Sequence, residues 1–187
     1  KETVDEHFGF SRYAEKLGRS ANSFDELYNL LQKEYTYVDE LMIGILKQRM
    51  AGLEPELVAL SVPFPGNLYA SFRCAQWIKQ NYPATKIAMG GGFPNTELRS
   101  LSDPRVFEFY DFITLDDGEA PVEQLVAFVA GKIPVTALKR CFILQDGQVS
   151  FINNKSCADY KQGQVGTPDY SDFLLDKYIS AIEIINP

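Results

Sequence analysis

The chain has 187 residues, 45% of them hydrophobic and 23% charged, with a net charge of -7. That suits one domain with a real core plus appendages. An acidic balance without a basic stripe argues against nucleic acid as a partner, and no apolar run approaches the roughly 20 residues that span a bilayer.

In chain order, Ser23-Phe24-Asp25-Glu26 has capping-box spacing and opens a first helix carrying Leu27, Leu30, Leu31 and Tyr35. A second helix is predicted over residues 38–50, with Val38, Leu41, Met42, Ile45 and Leu46 at helical spacing and Gly52 as its stop. The pattern then changes. Residues 57–62 form a short apolar run, predicted to be a strand covered on both faces, as in a parallel sheet. Pro63-Phe64-Pro65-Gly66 ends it, and Leu68, Phe72, Ala75 and Ile78 mark a helix that closes near Tyr82-Pro83.

The strand-loop-helix unit recurs twice. Lys86-Ile87-Ala88-Met89 leads into Gly90-Gly91-Gly92 and a short helix around residues 95–100. Residues 111–115 lead into Asp116-Asp117-Gly118-Glu119 and a helix with Pro121 in its first turn and Gly131 at its end. The spacing fits right-handed βαβ crossovers. Further on, Gln145-Asp146-Gly147 separates two alternating runs, the pattern of a β-hairpin. The expected fold class is α/β: a Rossmann-like (flavodoxin-like) parallel sheet with flanking helices, an N-terminal helical segment (1–54), a core (55–131), and a C-terminal β-hairpin plus linker (132–187).

Strand-to-helix loops of a parallel sheet share one edge, where ligands bind. Three loops therefore meet on one rim: residues 61–67, 90–95 and 116–119. Successive glycines let backbone N–H groups approach a ligand, and a helix start behind them favours a phosphate. On this reading the glycine loop faces a ligand, so a bulky residue at Gly91 would weaken binding and leave the fold intact. The pattern is neither the dinucleotide G-x-G-x-x-G nor a P-loop. Ser61 can hydrogen-bond a ligand from its strand end. Asp116, Asp117 and Glu119 read better as an acidic helix start than as a metal site. His7, the only histidine, lies outside the α/β unit. Cys74, Cys141 and Cys157 are odd in number and widely spaced, which suggests a reducing, cytoplasmic setting and small buried side chains rather than disulfides or a metal cluster. No signal peptide is visible at Lys1-Glu2-Thr3-Val4. From the residues alone, the chain reads as a module for a phosphate-bearing cofactor (a flavin or nucleotide among the candidates) or as a ligand-free α/β interaction domain.

Taken together, Leu60-Ser61-Val62-Pro63-Phe64-Pro65-Gly66, then Gly90-Gly91-Gly92, then Asp116-Asp117-Gly118-Glu119 resemble the cobalamin-binding domains that precede radical S-adenosylmethionine domains, such as that of anaerobic magnesium-protoporphyrin IX monomethyl ester oxidative cyclase. Thr167-Pro168-Asp169-Tyr170 and Tyr178-Ile179-Ser180 are similar to the connector into the radical domain. The resemblance implies cobalamin as cofactor, held at Ser61, Val62, Pro63, Gly66, Gly90, Gly91, Gly92, Gly118 and Glu119. It also implies a C-terminal radical domain in the same polypeptide, with a 4Fe-4S cluster and S-adenosylmethionine, for methyl transfer, rearrangement or oxidative cyclisation. The family's C-x-x-x-C-x-x-C triad is absent from this sequence, so the chain by itself is expected to be inactive. The D-x-H-x-x-G cobalt-ligand motif of other cobalamin proteins is missing too. Asp5-Glu6-His7-Phe8-Gly9 is a near miss, so no protein histidine is expected on cobalt.

Overall fold

A computed structural model of the chain describes residues 24–171. Ser23, His7 with its near-miss motif, and Tyr178-Ile179-Ser180 lie outside the described residues. The fold is a five-stranded mixed sheet in the order β1-β2-β3-β4-β5 with flanking helices, a Rossmann-like α/β arrangement.

Among the described residues, two helices precede the sheet. The first, α1 (Asp25–Leu31), buries Leu27 and Leu31. The second, α2 (Tyr37–Met50), starts at a capping box in which Thr36 and Asp39 exchange side-chain and backbone hydrogen bonds. Its inner face is only partly the one the spacing suggested: Val38, Met42 and Leu46 are half-buried, with Met42 and Leu46 packed against the core. Asp39, Ile43 and Met50 are buried, whereas Leu41 and Ile45 stand 52% and 62% exposed. The reason is Asp39, whose carboxylate is drawn inward by Tyr69 and Arg73 and sets the rotation of the helix. Gly52, at φ 76°, ends α2 in the left-handed conformation that glycine adopts without a Cβ clash.

Strands β1 (Leu57–Ser61), β2 (Lys86–Gly90) and β3 (Phe112–Thr114) run parallel, with Ala59 beside Ala88 and Ser61 beside Gly90. Between β1 and β2 lies α3 (Leu68–Asn81), which buries Phe72, Ala75, Trp77 and Ile78. Large side chains such as Phe72 and Ile78 each contribute about 1.5–3 kcal/mol on leaving water, and Ala75 less. The helix after β2 is α4 (Gly92–Glu97), three residues earlier than the sequence suggested, because Gly91 itself serves as N-cap. After β3, α5 (Glu119–Val129) crosses the opposite face and stops before Gly131, at φ 70°.

The predicted hairpin forms: β4 (Cys141–Gln145) and β5 (Gln148–Ile152) flank Asp146 and Gly147, both at positive φ, as a two-residue hairpin turn needs. It does not stand apart. β4 pairs antiparallel with β3, so the hairpin completes the sheet. Two cores result. The larger, on the α3 side, takes Ile87, Met89, Ile113 and Phe142; the smaller, under α5, takes Ala88, Phe112, Cys141 and Ile143. The expectation that β1 is covered on both faces fails. Val58 and Leu60 pack into the larger core, but Ala59 and Ser61 are exposed on the α5 side.

Candidate functional site

The loops after β1, β2 and β3 meet at the carboxyl edge of the sheet, as the parallel order requires. Backbone bonds lock the first two together. Val62 donates its N–H to Gly90 O (2.7 Å), and Phe93 donates its N–H to Val62 O (2.9 Å). The glycines exist for this contact. A Cβ on Gly91 (φ 106°) would stand 2.8 Å from Val62 O, one on Gly92 would stand 2.6 Å from Pro63 O, and one on Gly90 would stand 2.9 Å from Thr114 Oγ1. The absent side chains of Gly91 and Gly92 thus face the neighbouring loop rather than a ligand. A substitution at Gly91 strains the fold, contrary to the sequence expectation.

The phosphate argument changes for the same reason. The Phe93 N–H is already bonded to Val62, and Pro94, next in line, has none. A six-residue helix with one first-turn donor bonded and the next replaced by proline is a poor anion cradle. Val62 is itself fully buried, with N–H and C=O both bonded, so it shapes the loop from within.

The rim divides into two halves. Over β3 it is filled. Asp116, at φ 62°, accepts from Arg99 and takes the Asn95 side chain on its N–H (2.5 Å). Arg140, at φ 44°, bonds Leu115 O (3.2 Å), Asp117 O (2.9 Å) and Asp159 (2.6 Å). Residues 153–160 are strapped over this half: Lys139 donates to Cys157 O and pairs with Asp159, whose carboxyl the two cations hold below the usual carboxylate range, and Tyr160 donates to Glu123 of α5 (2.7 Å). Arg99 and Arg140 occupy the carboxylate of Asp116. Gly118 and Glu119 remain exposed at the head of α5, and a Cβ on Gly118 would meet nothing.

Over β1 and β2 the rim is open. By strand alternation Ala59 and Ser61 share the α5 face with Ala88 and Gly90, which stand beside them. Ala88 is buried under α5, while Ala59 and Ser61 lie bare. Beside this floor α5 carries Val122 and Val126, 41% and 54% exposed. Val129 continues the same helical stripe and lines one hollow with Pro55, Glu56 and Lys86, which places the stripe towards the β1 side. The result is an open shelf: four small residues as floor, a valine wall, the Ser61 hydroxyl at the rim, and exposed Pro63, Phe64 and Gly66 at the mouth. Ser61 and Gly90 stand out in the sequence, Ala59 and Ala88 do not, and only pairing makes the four neighbours. Among the described residues, hollows also lie away from the rim. One is at the opposite sheet edge by Pro55 and Pro83, and one is beside Arg73 and Gln80.

No family model and no curated protein matches the sequence. Among solved structures, the chain is similar to apo, selenomethionine-labelled OxsB, a cobalamin-dependent S-adenosylmethionine radical enzyme, at 18% identity and a TM-score of 0.45. The match covers 63% of this chain and 16% of that one, so the chain corresponds to a small part of that protein's length. Among the described residues, no helix is long and apolar enough to cross a membrane.

Proposed function

We propose that the chain binds cobalamin, with the nucleotide tail lying on the shelf of Ala59, Ser61, Ala88 and Gly90. The observation that carries this reading is the shelf itself: Ala59 and Ser61 on β1, left uncovered next to Gly90 and the buried Ala88 on β2, beside the exposed wall of Val122 and Val126. An extended, partly apolar ligand gains area there without displacing any packed side chain. The sequence resemblance of the three rim loops supports the same ligand.

Ser61 would hydrogen-bond the tail, Pro63 and Gly66 would border the mouth, and Gly118 and Glu119 would contact the ligand from the head of α5. Gly90 keeps the floor low, while Gly91, Gly92 and Val62 act indirectly, by holding the loops in place. Bound cobalamin would supply a cobalt centre for methyl transfer or for a radical rearrangement or cyclisation. That chemistry would be carried out with a radical S-adenosylmethionine domain of the same polypeptide.

The test is retention of a corrin. The chain is incubated with hydroxocobalamin or with flavin mononucleotide, desalted, and its visible spectrum recorded. Retained cobalamin that is lost in Ser61→Trp, with unchanged circular dichroism, supports the reading. Retention of flavin alone would reassign the shelf, and retention of neither would make it a protein-binding surface.

A further inference from the structure

We propose that the free edge of β1 pairs with β1 of a second copy of this chain, joining two sheets about a two-fold axis at Ala59. Among the described residues β1 is the outermost strand. Its bonding parity follows from the two contacts at its ends: Glu56 O accepts from Lys86 N–H (2.9 Å), and Val62 N–H donates to Gly90 O (2.7 Å). In a parallel ladder this parity turns the backbone of Val58 and Leu60 towards β2 and that of Leu57, Ala59 and Ser61 outward. The outward row carries an N–H and a C=O at each residue, and no charge, bulge or proline interrupts Leu57-Val58-Ala59-Leu60-Ser61. Edges that must stay single are normally protected by such devices.

The edge fits itself. Pro55 and Pro63 stand equally far from Ala59 and bound the pairing symmetrically. With the axis at Ala59, the two Ala59 residues exchange backbone bonds, and Leu57 of each copy does so with Ser61 of the other. Glu56 then meets Val62 and Glu54 meets Phe64, so no acidic residue faces its own kind. Ala59 and Ser61, the exposed side chains of the strand, are small enough to let the edges approach. The net charge of -7 on each copy opposes association, so pairing should tighten with salt until the charges are screened over about 8 Å near 0.15 M.

The experiment is sedimentation equilibrium of the whole chain at low and physiological salt, with Ala59→Lys and Ala59→Val alongside. The expected result is a parent particle of twice 21.1 kDa that tightens with salt. Ala59→Lys, which sets two ammonium groups across the axis, should associate about 100-fold more weakly, and Ala59→Val should still pair. Because any variant can misfold, hydrogen exchange of the parent is read too: the Ala59 amide should gain protection as protein concentration rises. A parent that stays monomeric overturns the proposal, whether the Ala59 amide exchanges freely or is protected at every concentration by the chain's own residues. So does an Ala59→Lys dimer as tight as the parent. Cobalamin retention is a separate readout, so this proposal and the cofactor reading can fail independently.

Discussion

Gly91 and Val62 are packed backbone to backbone: a Cβ on Gly91 would stand 2.8 Å from Val62 O, 2.9 Å from its carbonyl carbon and 2.9 Å from its nitrogen. The loops after β1 and β2 can share one rim because that side chain is missing. Gly91→Ala should therefore cost about 1–3 kcal/mol from backbone conformation alone, at φ 106°, with the steric overlap added. Gly118→Ala, at an ordinary φ of -79° with open space around it, should stay within about 0.5 kcal/mol. Urea denaturation of the two variants checks the contrast.

Arg73 ties the N-terminal helices to the sheet. Its guanidinium donates to Leu31 O (2.9 Å), Leu30 O (3.1 Å) and Lys33 O (3.0 Å) at the end of α1, and its Nε pairs with Asp39 of α2 (3.5 Å). Both side chains are almost wholly buried. Arg73→Met should cost about 3–5 kcal/mol, since it leaves Asp39 buried without its cation. Arg99→Ala, which breaks a surface pair with Asp116, should cost less than about 1 kcal/mol. The midpoints of urea unfolding decide between these magnitudes.

Tyr110 is fully buried, and its hydroxyl finds no hydrogen-bond partner among the described residues; the nearby Ser71 hydroxyl donates to Leu68 O instead (2.8 Å). Burial raises the Tyr110 phenol and pushes Tyr69 up to about 12, and it lifts the Cys141 thiol to about 12. Raised values in the fold mean stability that is whole below the ordinary thiol and phenol pKa values and is lost as pH rises through the folded ones. Thermal unfolding should therefore weaken from about pH 9 upward, towards pH 12. Tyr110→Phe should unfold no more easily at pH 7, with a gain of up to about 1 kcal/mol from removing an unpaired hydroxyl, and should lose less stability at high pH. A parent melting curve flat from pH 8 to about 11 would contradict the account.

Asp159 holds the strap of residues 153–160 through Arg140 and Lys139. Its depressed carboxyl pKa gives the opposite pH sign: the tether is whole above the ordinary aspartate value and fails as pH falls through the folded one. Asp159→Asn should speed proteolysis within the strap at neutral pH while the melting temperature of the sheet barely moves. Limited digestion followed by mass mapping of the cut site measures this. Cuts confined to other segments would show that the strap is held by something else.

Much of this was legible in the chain. Apolar runs of strand length, spaced for crossovers, defined β1, β2 and β3, and Asp146-Gly147 defined the hairpin, because backbone conformation at such points is set by local residue chemistry. The rim loops followed, since parallel strands must turn at a common edge. The helix face of α2 was only half legible: Met42 and Leu46 pack inward as their period implies, but Leu41 and Ile45 do not, because a buried pair between Asp39 and Arg73, distant in sequence, decides the rotation. The role of Gly91 and Gly92 is not legible for a related reason. Glycines written in a row do not reveal whether the open side faces a ligand or, as here, the carbonyl of Val62 and the backbone of Pro63. Docking of β4 onto β3, and the addition of Ala59 and Ala88 to Ser61 and Gly90 as one shelf, belong to tertiary structure alone, since hydrogen-bond register between strands brings together residues such as these alanines whose chemistry, taken one at a time, carries no signal.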